Sequence, residues 1–305
     1  MMKTNPSFDI IGEGRDQVGE SPIWDEDTQT LYWVDIIGKK IRSHDTVSGK
    51  SASWSTSDFP TAIAMTRDND RAVLAIAEGI AKFRFSDQNM EILSKPDPTS
   101  GNRLNEGKCD PQGRFWVGSM QNNLHPNGTG RDMDRNSGAL FCYGRDGKVS
   151  RHSDFEFGIS NTMAWSPDER TFYFGDSIRN VIFAYDYDAA DAVISNRRVL
   201  IEGYPVGAPD GSSIDADGCL WNARFGGSRV IRIAPNGKVD REIHLPVRNP
   251  TSCTFGGSDY SKLFITSATF TLSEEQLSRN NLEGALLALD TDTFGVGDYK
   301  YEGTL

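Results

Sequence analysis

Short apolar strands alternate with polar turns along the whole chain, and the alternation recurs as one unit. The unit is an apolar strand, an Asp-containing turn, a second apolar strand and then further strands. Its clearest copy runs Ser21-Pro22-Ile23-Trp24-Asp25, a turn, Leu31-Tyr32-Trp33-Val34-Asp35 and then Lys40-Ile41-Arg42-Ser43. Comparable units begin at Ala62, Cys109, Met163, Ser213 and Cys253. Taking Trp24, Ala64, Cys109, Ala164, Ile214 and Thr254 as equivalent points gives spacings of 40 to 55 residues, which suits a four-stranded propeller blade. The pattern therefore predicts an all-β fold, a six-bladed β-propeller formed by residues 1–305 as a single domain. The last copy ends close to the carboxyl end of the sequence, so the strand around Phe8 to Ile11 is expected to pair into the sixth blade. That pairing closes the ring and removes its free sheet edges. Only Ser273 to Asn281 carries a helical pattern.

Composition agrees with many strands joined by turns: 30 Gly, 13 Pro and 10% aromatic residues among 305. With 43 Asp and Glu against 32 Lys and Arg, the net charge is −11. Such a surface repels phosphate backbones, and no Lys/Arg run supplies a local basic patch, so no nucleic-acid partner is expected. Cys109, Cys142, Cys219 and Cys253 have neither CxxC spacing nor the density of a disulfide-stapled domain, and read as buried reduced thiols. Met1 to Gly14 shows no basic segment followed by an apolar one, and no apolar run approaches a membrane span. A cytoplasmic protein without a membrane partner is the expectation.

The innermost strand of each blade lines the central channel, so the residues that begin these strands converge at one mouth. They are Glu20, Pro60 with Thr61, Asn105, Asn161, Asp210 and Thr251. A polar residue at a strand start is by itself an ordinary turn former. Two carboxylates and two amides at one phase of separate blades are different, because like charges in a narrow channel are costly without a counter-ion. A divalent cation is the simplest remedy. All-oxygen ligation suits Ca²⁺ first, with Mg²⁺, Mn²⁺ and Zn²⁺ as alternatives. His44, His125, His152 and His244 show no paired spacing and stand outside this phase.

These residues resemble the SMP-30/gluconolactonase/regucalcin-like family, six-bladed propellers that act as metal-dependent sugar lactonases. The resemblance extends over nearly the whole chain. Its most specific segments are Gly19-Glu20-Ser21-Pro22-Ile23-Trp24, Gly101-Asn102-Arg103-Leu104-Asn105-Glu106-Gly107, Ile159-Ser160-Asn161-Thr162-Met163 and Pro209-Asp210-Gly211. The resemblance implies that Glu20, Asn161 and Asp210 hold the metal, that Asp210 is also the general acid/base, and that Arg103 and Asn105 contact a small-molecule sugar lactone. Two positions depart from the family pattern. Glu106 stands where an Asp is usual, and Asn123 falls where the family carries an acidic sugar-binding residue. An amide at Asn123 implies tolerance of an anionic or unusual sugar substituent, which a carboxylate repels. The long segment from Gln121 to Asn136 reads as a loop over the mouth.

Metal-assisted hydrolysis is the expected mechanism, since no Ser-His-Asp or G-x-S-x-G pattern competes: Gly211-Ser212-Ser213 lacks the final glycine. An alternative is a calcium-dependent phosphotriesterase or arylesterase propeller, in which Asn105 is a fourth ligand. Another is a non-catalytic calcium-binding propeller. The oligomeric state has no sequence signal.

Overall fold

The computed structural model describes residues 7–305, so the part of the amino-terminal reading that falls on residues 1–6 lies outside it. Its strands form six antiparallel four-stranded sheets arranged as the blades of a propeller. The inner strands are Gly19–Asp25, Pro60–Met65, Asn102–Cys109, Ser160–Trp165, Ala208–Ile214 and Pro250–Gly256. The six equivalent points of the sequence repeat all fall on these inner strands, near their far ends. The sixth blade takes its outermost strand, Asp9–Ile11, from the start of the chain, with Asp9 opposite Ala288. The expected ring closure is therefore present. Glu274–Arg279 is the one helix among the described residues, opened by a capping box on Ser273. No helix among those residues is long and apolar enough to cross a membrane.

The recurrent turn Asp has a structural task. Asp110 Oδ2 accepts from Trp116 Nε1 at 2.8 Å, and Asp215 Oδ2 accepts from Trp221 Nε1 at 2.7 Å. Each Asp thus locks the turn to the second strand while the indole fills the space between blades. This is why the repeat reads as turn Asp followed by an aromatic residue. Apolar clusters lie between successive blades, for example Ile63, Leu74 and Phe83 with Val34 and Ile41. All four cysteines are buried and free.

Residues 291–305 leave the sixth blade and run beneath the ring. Asp298 Oδ2 accepts from the Trp24 amide at 2.9 Å and from Thr254 Oγ1 at 2.6 Å, while Oδ1 lies 3.0 Å from Lys108 Nζ. One carboxylate thereby joins the far ends of the inner strands of blades 1, 3 and 6.

Candidate functional site

Every inner strand breaks register with its neighbour near its start. The breaks fall at Glu20/Ile23, Pro60/Ala62, Leu104/Gly107, Asn161/Met163, Pro209/Ser212 and Pro250/Ser252. Such bulges turn a side chain out of the regular alternation, and here they occur at one phase all round the ring. Two of them hold non-glycine residues in the left-handed region, Ser21 at φ 49° and Thr162 at φ 51°. That conformation costs about 1–3 kcal/mol and persists only where surrounding contacts impose it. The contacts are present: Ser21 Oγ accepts from the Ile63 amide of blade 2 at 3.1 Å, and Thr162 Oγ1 donates to the Asp210 carbonyl of blade 5 at 2.6 Å. In blade 5 the corresponding residue is Gly211, where an added Cβ would lie 2.0 Å from Ser252 Oγ of blade 6. In each case the residue after the candidate ligand hooks onto, or presses against, the next blade, while Glu20, Asn161 or Asp210 faces the axis.

The result is a cavity of about 280 Å³ at one mouth, lined by Glu20, Arg103, Asn105, Asn123, Asn161 and Asp210 together with apolar residues. All six sequence-predicted site residues thus reach one cavity. Thr61 and Thr251, at the same phase, do not offer their hydroxyls to it. Thr61 Oγ1 donates to the Ala75 carbonyl at 3.3 Å, and Thr251 Oγ1 is bonded to Thr266 Oγ1 at 2.8 Å and to the Gly19 carbonyl.

Burial pushes the Glu20 carboxyl well above the ordinary carboxylate range, and the charges of Asp210 and Glu106 push it further. Burial also raises Asp210 strongly, with Glu106 adding repulsion, while its bond with Glu20 works in the opposite direction. Glu106 is pushed up to about 7 by burial, opposed by Lys108 and by the Gly107 N–H that its Oε1 accepts at 3.0 Å. Two desolvated carboxylates, Glu20 and Asp210, line the cavity and, with the charge of Glu106 behind them, favour a cation there. Among the described residues no three His, Cys, Asp or Glu side chains converge as a ligand set. A metal here would rest on Glu20 and Asp210 with the Asn161 amide oxygen. That is a hard-donor set, which fits Ca²⁺ or a similar ion and leaves positions for water and substrate.

Asn161 donates from Nδ2 to Ser177 Oγ at 2.8 Å, which turns its Oδ1 toward the cavity, where a neutral amide at 3.3 Å is its one protein donor among the described residues and a lone pair is left for a cation. Arg103 is buried and, among the described residues, has no carboxylate within ion-pair distance. Its Nε and Nη2 donate to Asn123 Oδ1 at 3.2 and 2.9 Å, and its Nη1 donates to Asn105 Oδ1 at 2.7 Å and the Leu104 carbonyl at 2.8 Å. Burial lowers the Arg103 pKa to about 10, against the opposing charges of Glu20 and Asp58. Asn105 gives its Nδ2 to the Ser160 carbonyl at 2.8 Å and to Asn161 Oδ1 at 3.3 Å. Its oxygen is therefore held at short range by the Arg103 cation, which opposes a second cation there, whereas Asn161 Oδ1 meets only a neutral amide at longer range.

Sequence reasoning missed Ser177, Glu106 and Lys108. Ser177 sits at the end of a second strand rather than an inner one, and nothing in its local pattern marks it. Glu106 lies beside a predicted site residue, but only the bulge at Leu104/Gly107 shows that it stays in the channel. The segment from Gln121 to Asn136 does cross the mouth: an added Cβ at Gly128 would lie 2.7 Å from Ile37 of blade 1, and one at Gly130 would lie 3.2 Å from Phe270 of blade 6.

Fold and site together define a six-bladed propeller with a carboxylate–amide pocket at one end of its axis. Residues 18–269 match the family described as SMP-30/Gluconolactonase/LRE-like region. Regucalcin of Gallus gallus is 34% identical over 300 residues, covering 97% of this chain and 98% of the relative. A crystal structure of a calcium-binding protein, regucalcin, from Agrobacterium tumefaciens superposes with a TM-score of 0.89 at 25% identity, covering 97% of this chain and 98% of that one. A luciferin-regenerating enzyme superposes with a TM-score of 0.86 at 30% identity, covering 98% of this chain and 100% of that one. The chain belongs to the SMP-30/gluconolactonase/LRE-like family.

Proposed function

We propose that this protein hydrolyses a sugar lactone to the corresponding aldonic acid, using one divalent cation held by Glu20, Asn161 and Asp210. The observation that carries this reading is the convergence of two buried carboxylates and an oriented amide with a buried arginine on one cavity floor. A bound cation at this position supplies Lewis-acid polarisation of the lactone carbonyl. Asp210 takes the proton of the attacking water and returns it to the ring oxygen as the carbon–oxygen bond breaks. Burial and the charge of Glu106 raise the proton affinity of its carboxyl, and a cation bound beside it opposes that rise. Arg103 faces the developing oxyanion and then the carboxylate of the product, with one N–H group not spent on its protein acceptors. Asn105 and Asn123 hold the guanidinium in place from two sides.

The regucalcin relatives and the calcium-binding structural neighbour support Ca²⁺ as the first metal to test. A phosphotriesterase-type site with Asn105 as a ligand is disfavoured by the Arg103 bond to the Asn105 oxygen. The deciding experiment strips the protein with a chelator, restores Ca²⁺, Zn²⁺, Mn²⁺ or Mg²⁺ singly, and measures turnover of aldonolactones beside an organophosphate and an aryl ester. Metal-dependent opening of lactones at the highest kcat/KM is the expected result. Preferential turnover of the organophosphate, or no hydrolysis with any metal, rejects the reading.

A further inference from the structure

A second ring stands above the polar floor, and the same repeat builds it. Antiparallel pairing brings the end of each second strand back past the start of the inner strand, as with Glu20 opposite Val34 and Pro209 opposite Arg224. The residues at or just beyond those ends therefore overhang the floor. Five of the six blades place large apolar side chains there: Ile36 in blade 1, Met120 and Leu124 in blade 3, Ile178 in blade 4, Phe225 in blade 5 and Phe270 in blade 6, all lining the cavity. The burial is graded, from Met120 at 0% and Ile36 and Leu124 at 4% exposure to Ile178 at 55%, so the collar runs from the floor to the outer rim.

The polar groups beneath the collar are largely committed to one another. Arg103 uses four donor bonds on protein acceptors, leaving one of its five N–H groups. Asn105 is engaged through both its oxygen and its nitrogen. Ser177 accepts from Asn161 and donates to the Pro209 carbonyl. A fully hydroxylated lactone would bring the hydroxyls on its collar side against hydrocarbon and exchange most of their water contacts for none, an unfavourable trade.

We propose that the substrate is a lactone deoxygenated on the side away from its carbonyl, with a methyl or short alkyl group where a common sugar lactone carries hydroxymethyl. The reading of the floor as a lactone site is assumed for the ring; the collar selects the substituent. On this proposal the collar also opposes a carboxylate at that position, against the anionic substituent that Asn123 raised, and Asn123 serves to hold Arg103.

Binding separates this selection from catalysis. Three 1,5-lactams of one ring stereochemistry, bearing methyl, hydroxymethyl or carboxylate at the far ring carbon, are titrated calorimetrically into Ca²⁺-loaded protein. The methyl lactam is expected to bind about tenfold or more tightly than the hydroxymethyl one, the range that an apolar pocket achieves against an added hydroxyl. The carboxylate is expected to bind weakest. Ile178→Ser, at the solvent-exposed rim where folding is not at risk, and Phe270→Ser should each narrow the methyl preference. Equal or tighter binding of the hydroxymethyl or carboxylate lactam, an unchanged preference in both variants, or no lactam binding at all overturns the proposal. Methyl-selective lactam binding without turnover of any lactone supports the collar and rejects the hydrolase reading.

Discussion

The side-chain nitrogen of Asn161 lies 2.8 Å from Ser177 Oγ, and that hydroxyl donates to the Pro209 carbonyl at 2.6 Å. This short relay ties the candidate amide ligand of blade 4 to the residue preceding the candidate carboxylate ligand of blade 5. Ser177→Ala removes the relay without touching the metal site directly. Partners that orient a ligand typically account for about 10–100-fold in metal affinity. We expect Ca²⁺ affinity to fall about tenfold with the fold intact, read by calorimetric titration and by an unchanged circular dichroism spectrum.

Asp210→Asn keeps the shape of the side chain but removes the base and half of the carboxylate charge. Its lactone turnover is expected to drop by about a hundredfold or more. Near-normal kcat at saturating metal would sink the assignment of Asp210 as acid/base.

Glu106 gives a pH signature. Its carboxyl is pushed up to about 7 in the folded chain by burial, against an ordinary 4.5. The folded state therefore holds this proton more tightly than the unfolded state, so stability is greatest below the ordinary value and is lost as pH rises through the window to about 7. In chelator, thermal unfolding should shift to lower temperature between pH 5 and pH 8. Glu106→Gln should lessen that slope, the rest of it belonging to the raised carboxyls of Glu20 and Asp210, and added Ca²⁺ should raise stability most at the alkaline end, where metal and proton no longer compete.

Lys108 and Asp298 form a buried pair, with side chains 17% and 6% exposed. Lys108→Met leaves Asp298 without its counter-charge, a kind of loss that costs about 3 kcal/mol or more. Chemical denaturation should show that loss, and Asp298→Asn in the same chain should recover part of it. A single variant as stable as the parent would show that the Trp24 and Thr254 donors suffice to hold the carboxylate.

The ring was legible in the sequence because each inner strand repeats an apolar run and a turn Asp at blade spacing, and the closing strand followed from that count. Glu20, Asn105, Asn161 and Asp210 could be placed together because residues at one repeat phase share one end of the channel. Which of them offer free atoms was not legible. Thr251 and Asn105 stand at the same phase as Asp210, yet their side-chain polar atoms are spent on neighbours. Bulge geometry and cross-blade bonds decide this, and both depend on residues far away in sequence. The same dependence hid Ser177, and it hid the pairing of Lys108 with a tail residue almost two hundred positions on.

That tail also shapes traffic. Residues Val296 to Tyr299 pack against Lys108, Cys109, Trp165 and Ile214 at the ends of the inner strands opposite the candidate site. The axis is thus a blind well rather than a tunnel. A molecule that reaches the floor must leave by the doorway it came through, so entry and escape share one passage beneath the Gln121–Asn136 loop.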